Sequence, residues 1–280
     1  MLETRRHVAQ QVPDSNNDDV ISRRLIDARM TATALPCFPG DLPETLAQAY
    51  GIQMASIARW RDDVAGWKVG LLSPADREHF SAERLIGPIF SSHVHNVNPA
   101  STKVMPIFEG GFAAVEAEFV LELGVTVKPS GKDYTNNELA DIVSTMYAGA
   151  EIASSPMADI NRLGPTVVVS DFGNNAGLLL GPNVPDWRNR PLDSLLAKVT
   201  VDGVVVGNAS AAAIPGGPLQ ALRFVIGLAA TRGLELPAGT LVSTGASTGI
   251  HEVELFSVAR VDFGALGWFD VEFESMTAAQ

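Results

Sequence analysis

Nine consecutive residues, Val115-Glu-Ala-Glu-Phe-Val-Leu-Glu-Leu123, run with a period of two, which an extended strand sorts onto two faces. Val115, Ala117, Phe119, Leu121 and Leu123 share one face, and Glu116, Glu118, Val120 and Glu122 share the other. Same-face neighbours on a strand lie about 6–7 Å apart, where two carboxylates at an effective dielectric near 20 repel by roughly 2–3 kcal/mol. Two environments relieve that repulsion. In open solvent, water and salt suffice; in a cleft, a divalent cation removes it, and all-oxygen ligation favours Mg²⁺ or Mn²⁺ over zinc. A cation needs a third ligand, and Glu151 is the candidate. It stands in Ala148-Gly-Ala-Glu-Ile-Ala153 among small and apolar residues, at the expected end of a helix.

The rest of the chain supplies a helical front and a strand-rich remainder. Residues 1–17 are polar and unpatterned and read as a loose arm. Ile21, Leu25, Ala28 and Ala32 repeat at helical spacing, as do Leu46, Tyr50, Met54 and Ile57, the second helix being capped by Asp41 with Pro43 and Glu44 in its first turn. From Gly66 the pattern shifts to strands and glycine-rich turns. Val199-Thr-Val-Asp-Gly-Val-Val-Val206 reads as a hairpin closed by Asp202-Gly203. Further strands are expected at Val167–Ser170, Leu178–Leu180, Thr240–Ser243, Val253–Val261 and Trp268–Phe273. Two helices interrupt them: one opened by the capping box Thr135-Asn-Asn-Glu138 ahead of Leu139, Ile142, Val143 and Met146, and one from Pro218 to Thr231 stopped by Gly233. This is an α+β pattern. Residues 18–65 form its helical part and 66–280 its β-rich part, with no Pro/Ser-rich linker to separate them into independent units.

Composition narrows the function. Twenty Lys and Arg against 32 Asp and Glu leave a net charge of −12, and no basic run exceeds a pair, so a nucleic-acid surface is not expected. No apolar stretch is long enough for a signal peptide or a membrane span, which gives a cytoplasmic expectation. The single cysteine, Cys37, has no partner for a disulfide or zinc site and reads as a packed or surface thiol.

Three motifs compete with the carboxylate strand. Gly245-Ala-Ser-Thr-Gly249 matches the nucleophile-elbow pattern, but the following Ile250–Leu255 alternates like a strand and no histidine follows His251, so serine hydrolysis is not expected. His93-Val-His95 lacks a third ligand nearby and reads as surface or hydrogen-bonded histidine. Lys68, in Gly66-Trp-Lys-Val-Gly70, either extends its ammonium to the surface or, with glycines allowing close backbone approach, serves as a cationic partner for a carboxylate or enolate.

Gly66-Trp-Lys-Val-Gly-Leu71, Gly87-Pro-Ile-Phe90, Glu116-Ala-Glu118, Glu151-Ile-Ala153, Asp171-Phe-Gly-Asn-Asn-Ala-Gly177, Gly217-Pro-Leu219 and Ser243-Thr-Gly-Ala246, in that order, resemble the 2-keto-4-pentenoate hydratase / 2-oxohex-3-enedioate decarboxylase group of the fumarylacetoacetate hydrolase superfamily. The resemblance runs from about Ala49 to Glu274. It implies a mixed β-roll with an N-terminal helical part and inserted helices, a Mg²⁺ or Mn²⁺ held by Glu116, Glu118 and Glu151, a small anionic 2-oxo or 2-hydroxydienoic acid substrate, and a homo-oligomer, with a complex with a related decarboxylase as a further arrangement. It also implies substrate contacts from Lys68, Leu71, Asn175, Thr244 and Gly245. The expected reaction is water addition to a 2-hydroxy-2,4-dienoate. Decarboxylation of a 2-oxoenedioate, hydrolysis of an acylpyruvate (with His79 near Glu83 as the hint of a dyad) and a non-catalytic partner subunit are the alternatives. The chain departs from the hydratase pattern at Phe80-Ser-Ala-Glu-Arg84, where Ala82 falls at the position of a commonly acidic residue and leaves Glu83 as the candidate water-activating base.

Overall fold

The computed structural model describes residues 15–278. Helix α1 (Ser15–Met30) already includes the last three residues of the expected arm, and the remainder of that arm lies outside the described residues. Helix α2 (Leu46–Ile57) packs beside α1 and begins later than its sequence suggests, because the cap is Thr45, whose hydroxyl accepts from the Gln48 amide at 3.2 Å, and not Asp41. Ile21, Leu25, Ala49, Tyr50 and Ile52 carry these helices into the core.

Strand β1 (Val64–Leu71), helix α3 (Pro74–Phe80) and strand β2 (Arg84–Phe90) follow, then β3 (Val94–Asn96), β4 (Thr102–Ile107) and the long β5 (Phe112–Leu123) that holds the alternating carboxylates. The capping box forms as expected and starts α4 (Asn136–Ile142), with Thr135 and Glu138 exchanging side-chain and backbone bonds. That helix stops at Ile142. Val143 and Met146 belong instead to β6 (Val143–Ser155), so Glu151 sits inside a strand and not at a helix end. β6 pairs with β5 from Phe112↔Ser155 to Leu123↔Val143, and this ladder outweighs the local helical spacing.

After the short α5 (Ile160–Leu163), the run expected as a strand at Val167–Ser170 is helix α6 (Pro165–Ser170). Pro165 suits a first helical turn, and with Val167 and Val169 fully buried and Val168 nearly so, the run shows no periodicity from which to choose. Strand β7 (Asn175–Asn183) leads to the hairpin β8 (Leu196–Val201) and β9 (Val204–Ser210), whose turn places Asp202 at φ 48° and Gly203 at φ 82°, the left-handed pair of a type I′ turn. Helix α7 (Pro218–Thr231) ends as expected: the Gly233 and Leu234 amides return to the Ala230 and Ala229 carbonyls. β10 (Leu241–Ser243), β11 (His251–Glu252), β12 (Val258–Asp262) and β13 (Trp268–Ser275) complete the chain. The strand expected from Val253 starts only at Val258, because Phe256 turns left-handed at φ 68° and the Ser257 hydroxyl donates to the Glu254 carbonyl.

Two sheets organise these strands. One runs β2-β1-β10-β5-β6-β7-β3, with β11 also on β5; the other runs β4-β13-β12-β8-β9. The α+β class with mixed sheets, an N-terminal helical part and inserted helices is the one expected. No helix among the described residues is long and apolar enough to cross a membrane. In the larger sheet, Lys68 registers with Ser243 across β1 and β10, Ser243 with Val120 across β10 and β5, and Glu116 with Glu151 across β5 and β6.

Candidate metal centre

Glu116, Glu118 and Glu151 are 5%, 0% and 0% exposed, which removes the open-solvent reading of the strand face. One carboxylate oxygen from each lies within 4.8 Å of the others, the only cluster of three such side chains among the described residues. Against these three acids stands one base. Lys68, itself 4% exposed, places Nζ 3.2 Å from Glu151 Oε1 and donates to Asn174 Oδ1 at 3.2 Å.

Other partners hold the carboxylates from outside. Glu118 Oε2 accepts from the Ser243 hydroxyl at 2.6 Å and from the Gly245 amide at 2.9 Å, while Asn175 Nδ2 donates to Glu151 Oε1 at 3.0 Å. Glu116 Oε1, Glu118 Oε1 and Glu151 Oε2 are buried and have no hydrogen-bond partner. A buried, unpaired carboxylate oxygen is costly. With all three acids ionised, the cluster carries two negative charges beyond the one that Lys68 neutralises. A single divalent cation, or two protons, would close that difference, and the all-oxygen donor set suits a hard cation.

The electrostatics express the same imbalance. Burial, and to a smaller degree Glu151, push Glu116 up to about 7 against the attraction of Lys68. Burial together with the charges of Glu151 and Glu116 holds Glu118 well above the usual carboxylate range. Burial alone would depress Lys68, but Glu151, Glu116 and Glu118 together raise it, so the ammonium stays charged.

A cavity of about 480 Å³ reaches this cluster at Glu116 and Lys68, while Glu118 and Glu151 do not line it. Lys68, Leu71, Glu116, Thr244 and Gly245 line it, while Asn175 does not; its neighbour Asn174 does. The Thr244 hydroxyl is committed to the Phe119 carbonyl at 2.6 Å and the Gly245 amide to Glu118. Glu83 lines no part of the cavity: its side chain is 42% exposed and paired with Arg84 at 2.6 Å. His79 stacks edge-on against Phe80 and is likewise outside. The cavity wall also contains Asp76 and the buried Arg84, neither of which stood out in the sequence. The Gly245–Gly249 turn leads to strand β11 rather than a helix, as expected, and His251 bonds Thr248 rather than Ser247.

Fold and site together define a protein of the fumarylacetoacetate hydrolase fold with a buried three-carboxylate centre. No family model matches the chain. It is 28% identical over 241 residues to a 4-oxalocrotonate decarboxylase of a Pseudomonas species, covering 81% of this chain and 87% of the relative. It is 28% identical over 244 residues to a 2-keto-4-pentenoate hydratase of Paraburkholderia phymatum, covering 83% and 88%. The solved structure of 4-oxalocrotonate decarboxylase from Pseudomonas putida G7 with magnesium and adipate superposes with a TM-score of 0.79 at 21% identity, over 94% of this chain and all of that one. The resemblance read from the motifs is therefore to enzymes bearing both names of the hydratase and decarboxylase group.

Proposed function

We propose that the protein is a divalent-metal-dependent hydratase that adds water to a 2-hydroxy-2,4-dienoate, the enol form of a 2-oxo-4-enoate, and gives a 4-hydroxy-2-oxo acid of the kind handled in aromatic meta-cleavage catabolism. The observation that carries the reading is the set of three buried carboxylates within 4.8 Å, each with an oxygen lacking a partner, beside a single buried lysine. Glu116, Glu118 and Glu151 would hold Mg²⁺ or Mn²⁺, which would supply Lewis-acid stabilisation for the enolate of a 2-oxo acid.

The side chains of this protein do the remaining work. Lys68, kept charged by its three acidic neighbours, neutralises the substrate carboxylate or the oxygen on which negative charge develops. Asn174 and Glu151 fix the direction of its ammonium. Leu71, exposed at the cavity wall, packs the carbon chain, and Thr244 and Gly245 shape the wall beside Glu118. Asn175 acts through Glu151. Glu83 lies outside the cavity, and Asp76, an acid on its wall that is not a metal-ligand candidate, takes its place as the candidate water-activating base. The reading includes a homo-oligomer, as the resemblance implies, and a cytoplasmic location, as expected from the sequence.

Decarboxylation of a 2-oxoenedioate is the second reading, favoured by Arg84, a buried cation on the same cavity wall suited to a far carboxylate. The test is to strip the protein with EDTA and follow the ultraviolet loss of a 2-hydroxydienoate with and without Mg²⁺ or Mn²⁺. Metal-dependent conversion to a 4-hydroxy-2-oxo acid without CO₂ is the expected result. Metal-independent turnover removes both readings, and CO₂ release from a 2-oxoenedioate selects the second.

A further inference from the structure

Asn174 and Asn175, which hold Lys68 and Glu151, leave a backbone turn that L-residues rarely adopt. Phe172, Gly173 and Asn174 are left-handed in succession, at φ 56°, 66° and 56°. Two of the three carry a Cβ, so the turn is unfavourable unless its surroundings impose it. One side is imposed by packing. A Cβ on Gly87 of β2 would lie 2.1 Å from the Phe172 carbonyl oxygen, and one on Gly173 would lie 3.0 Å from Lys68 Cδ, so the turn is pressed between β2 and the lysine stem.

The other side is held by a residue far away in sequence. Arg29, on α1 and 8% exposed, grips the Asp171 carboxylate with Nε and Nη2 at 2.5 and 2.9 Å. The same guanidinium donates through Nη2 to the Asp171 carbonyl at 3.1 Å and through Nη1 to the Asn175 carbonyl at 3.1 Å. It therefore brackets the left-handed turn from the residues on either side of it, Asp171 and Asn175. Nη2 also reaches the Ser154 carbonyl at 3.3 Å, and the Ser155 hydroxyl donates to Asp171 Oδ2 at 2.7 Å, tying the clamp to the end of the strand that carries Glu151. The guanidinium faces the Phe172 ring, 5.2 Å from its centroid. Only a planar fork with five donors reproduces this set; a lysine supplies the charge without the geometry.

We propose that Arg29 is a positioning residue for the metal centre: by clamping residues 171 and 175 it fixes Asn174 on Lys68 and Asn175 on Glu151, and so makes the N-terminal helix a working part of the site. The inference rests on the metal reading above. A helix-docking ion pair with no such role would cost stability alone, whereas outer partners of metal ligands alter affinity, commonly by 10- to 100-fold.

The experiment measures Mn²⁺ affinity by electron paramagnetic resonance, together with urea unfolding, for the wild type, R29K, R29M, D171N, E118Q and the second-sheet core variant V261A. R29K, R29M and D171N are expected to fold and to bind Mn²⁺ about 10- to 100-fold more weakly, with R29K and D171N together costing little more than either alone because they break one clamp. V261A is expected to lose stability and keep wild-type affinity. Folded Arg29 and Asp171 variants with wild-type affinity overturn the proposal. So does V261A weakening Mn²⁺ as much as R29M, or failure of all three clamp variants to fold, which would make Arg29 a folding requirement only. Absence of Mn²⁺ binding in the wild type, or its survival in E118Q, removes the metal reading itself; binding lost in E118Q but intact in the Arg29 variants removes only this inference.

Discussion

The ammonium of Lys68 lies 3.2 Å from Oε1 of Glu151, although β1 and β6 are separated in the sheet by β10 and β5. In a flat sheet three strand spacings amount to about 14 Å. The sheet curls enough to bring β2 against β7, and across that concave face the long Lys68 side chain reaches the acids of β5 and β6.

Replacing Lys68 with Met leaves three buried carboxylates with no cation in the metal-free protein. Loss of one partner from a buried ionic set costs about 3–5 kcal/mol, and removal of a charge that stabilises a developing anion lowers kcat by about 10²–10³. Urea unfolding and steady-state kinetics of Lys68→Met, alongside Lys68→Arg, measure both effects. A folded Lys68→Met protein with wild-type kcat would remove the lysine from the chemistry.

The raised carboxylates give the metal-free protein an inverted acid dependence. Glu116 and Glu118 both bind protons more tightly in the folded state than in the unfolded chain, where a glutamate titrates near its ordinary value of 4.5. Their stabilising contribution is complete below that value and is lost as pH rises through about 7 and beyond, because the folded state holds the extra protons throughout that window. Thermal unfolding of EDTA-treated protein is expected to fall by several degrees between pH 5 and pH 8, with Glu116→Gln flattening the slope. Protons and cation compete for the same oxygens, so Mn²⁺ affinity is expected to rise over the same interval. A flat stability profile would mean that these glutamates ionise freely in the folded state.

Glu116 and Glu118 were legible in the sequence because a period of two is a local property, and the apolar face of β5 reports the strand without reference to anything else. Glu151 was legible as a residue but misplaced, since a capping box announces where α4 starts and nothing local announces that the chain leaves it after Ile142 to pair with β5 and β7. The strand expected at Val167–Ser170 is helix instead because a fully buried run has no polar side to betray its period. The anchoring roles of Ser243 and Asn174 depend on β10 pairing with both β1 and β5 and on a left-handed turn, both non-local. Gly87 and Gly173 were the available signals, glycines beside strand and asparagine where a Cβ has no room. Glu83 misled because its neighbour Arg84 turns toward the cavity while Glu83 takes the exposed side of the pair.

Gly87→Ala tests that close approach directly. The added methyl would meet the Phe172 carbonyl oxygen at 2.1 Å, its carbon at 2.6 Å and Gly173 Cα at 2.8 Å, all backbone atoms that cannot rotate aside. Overpacking of this kind costs about 1–3 kcal/mol, and relief by shifting the turn carries Asn174 off Lys68. Lower unfolding midpoint in urea with weakened Mn²⁺ binding is the expected pair of changes. Unchanged values for both would show that the turn has slack.

Arg84 separates the two substrate readings. It lines the cavity, is 2% exposed, donates through Nη2 to the Pro215 carbonyl at 2.5 Å, and places Nη1 2.6 Å from Oε2 of Glu83, which lies outside the cavity. Glu83 is 42% exposed on its side chain, so its hold on the guanidinium is weakened by solvent and a substrate carboxylate can share the fork. If the site accepts a diacid, Arg84→Met raises KM for a 2-oxoenedioate by about 10-fold, the equivalent of a charged hydrogen bond worth roughly 1.4 kcal/mol. The KM of a 2-hydroxydienoate with a single carboxylate would then stay near the wild-type value, because that carboxylate is met at the Lys68 end of the cavity. Steady-state kinetics on both substrates distinguish the cases: an equal effect on the two makes Arg84 a prop for the wall beneath Pro215, and a selective effect makes it the residue that reads the far end of the substrate.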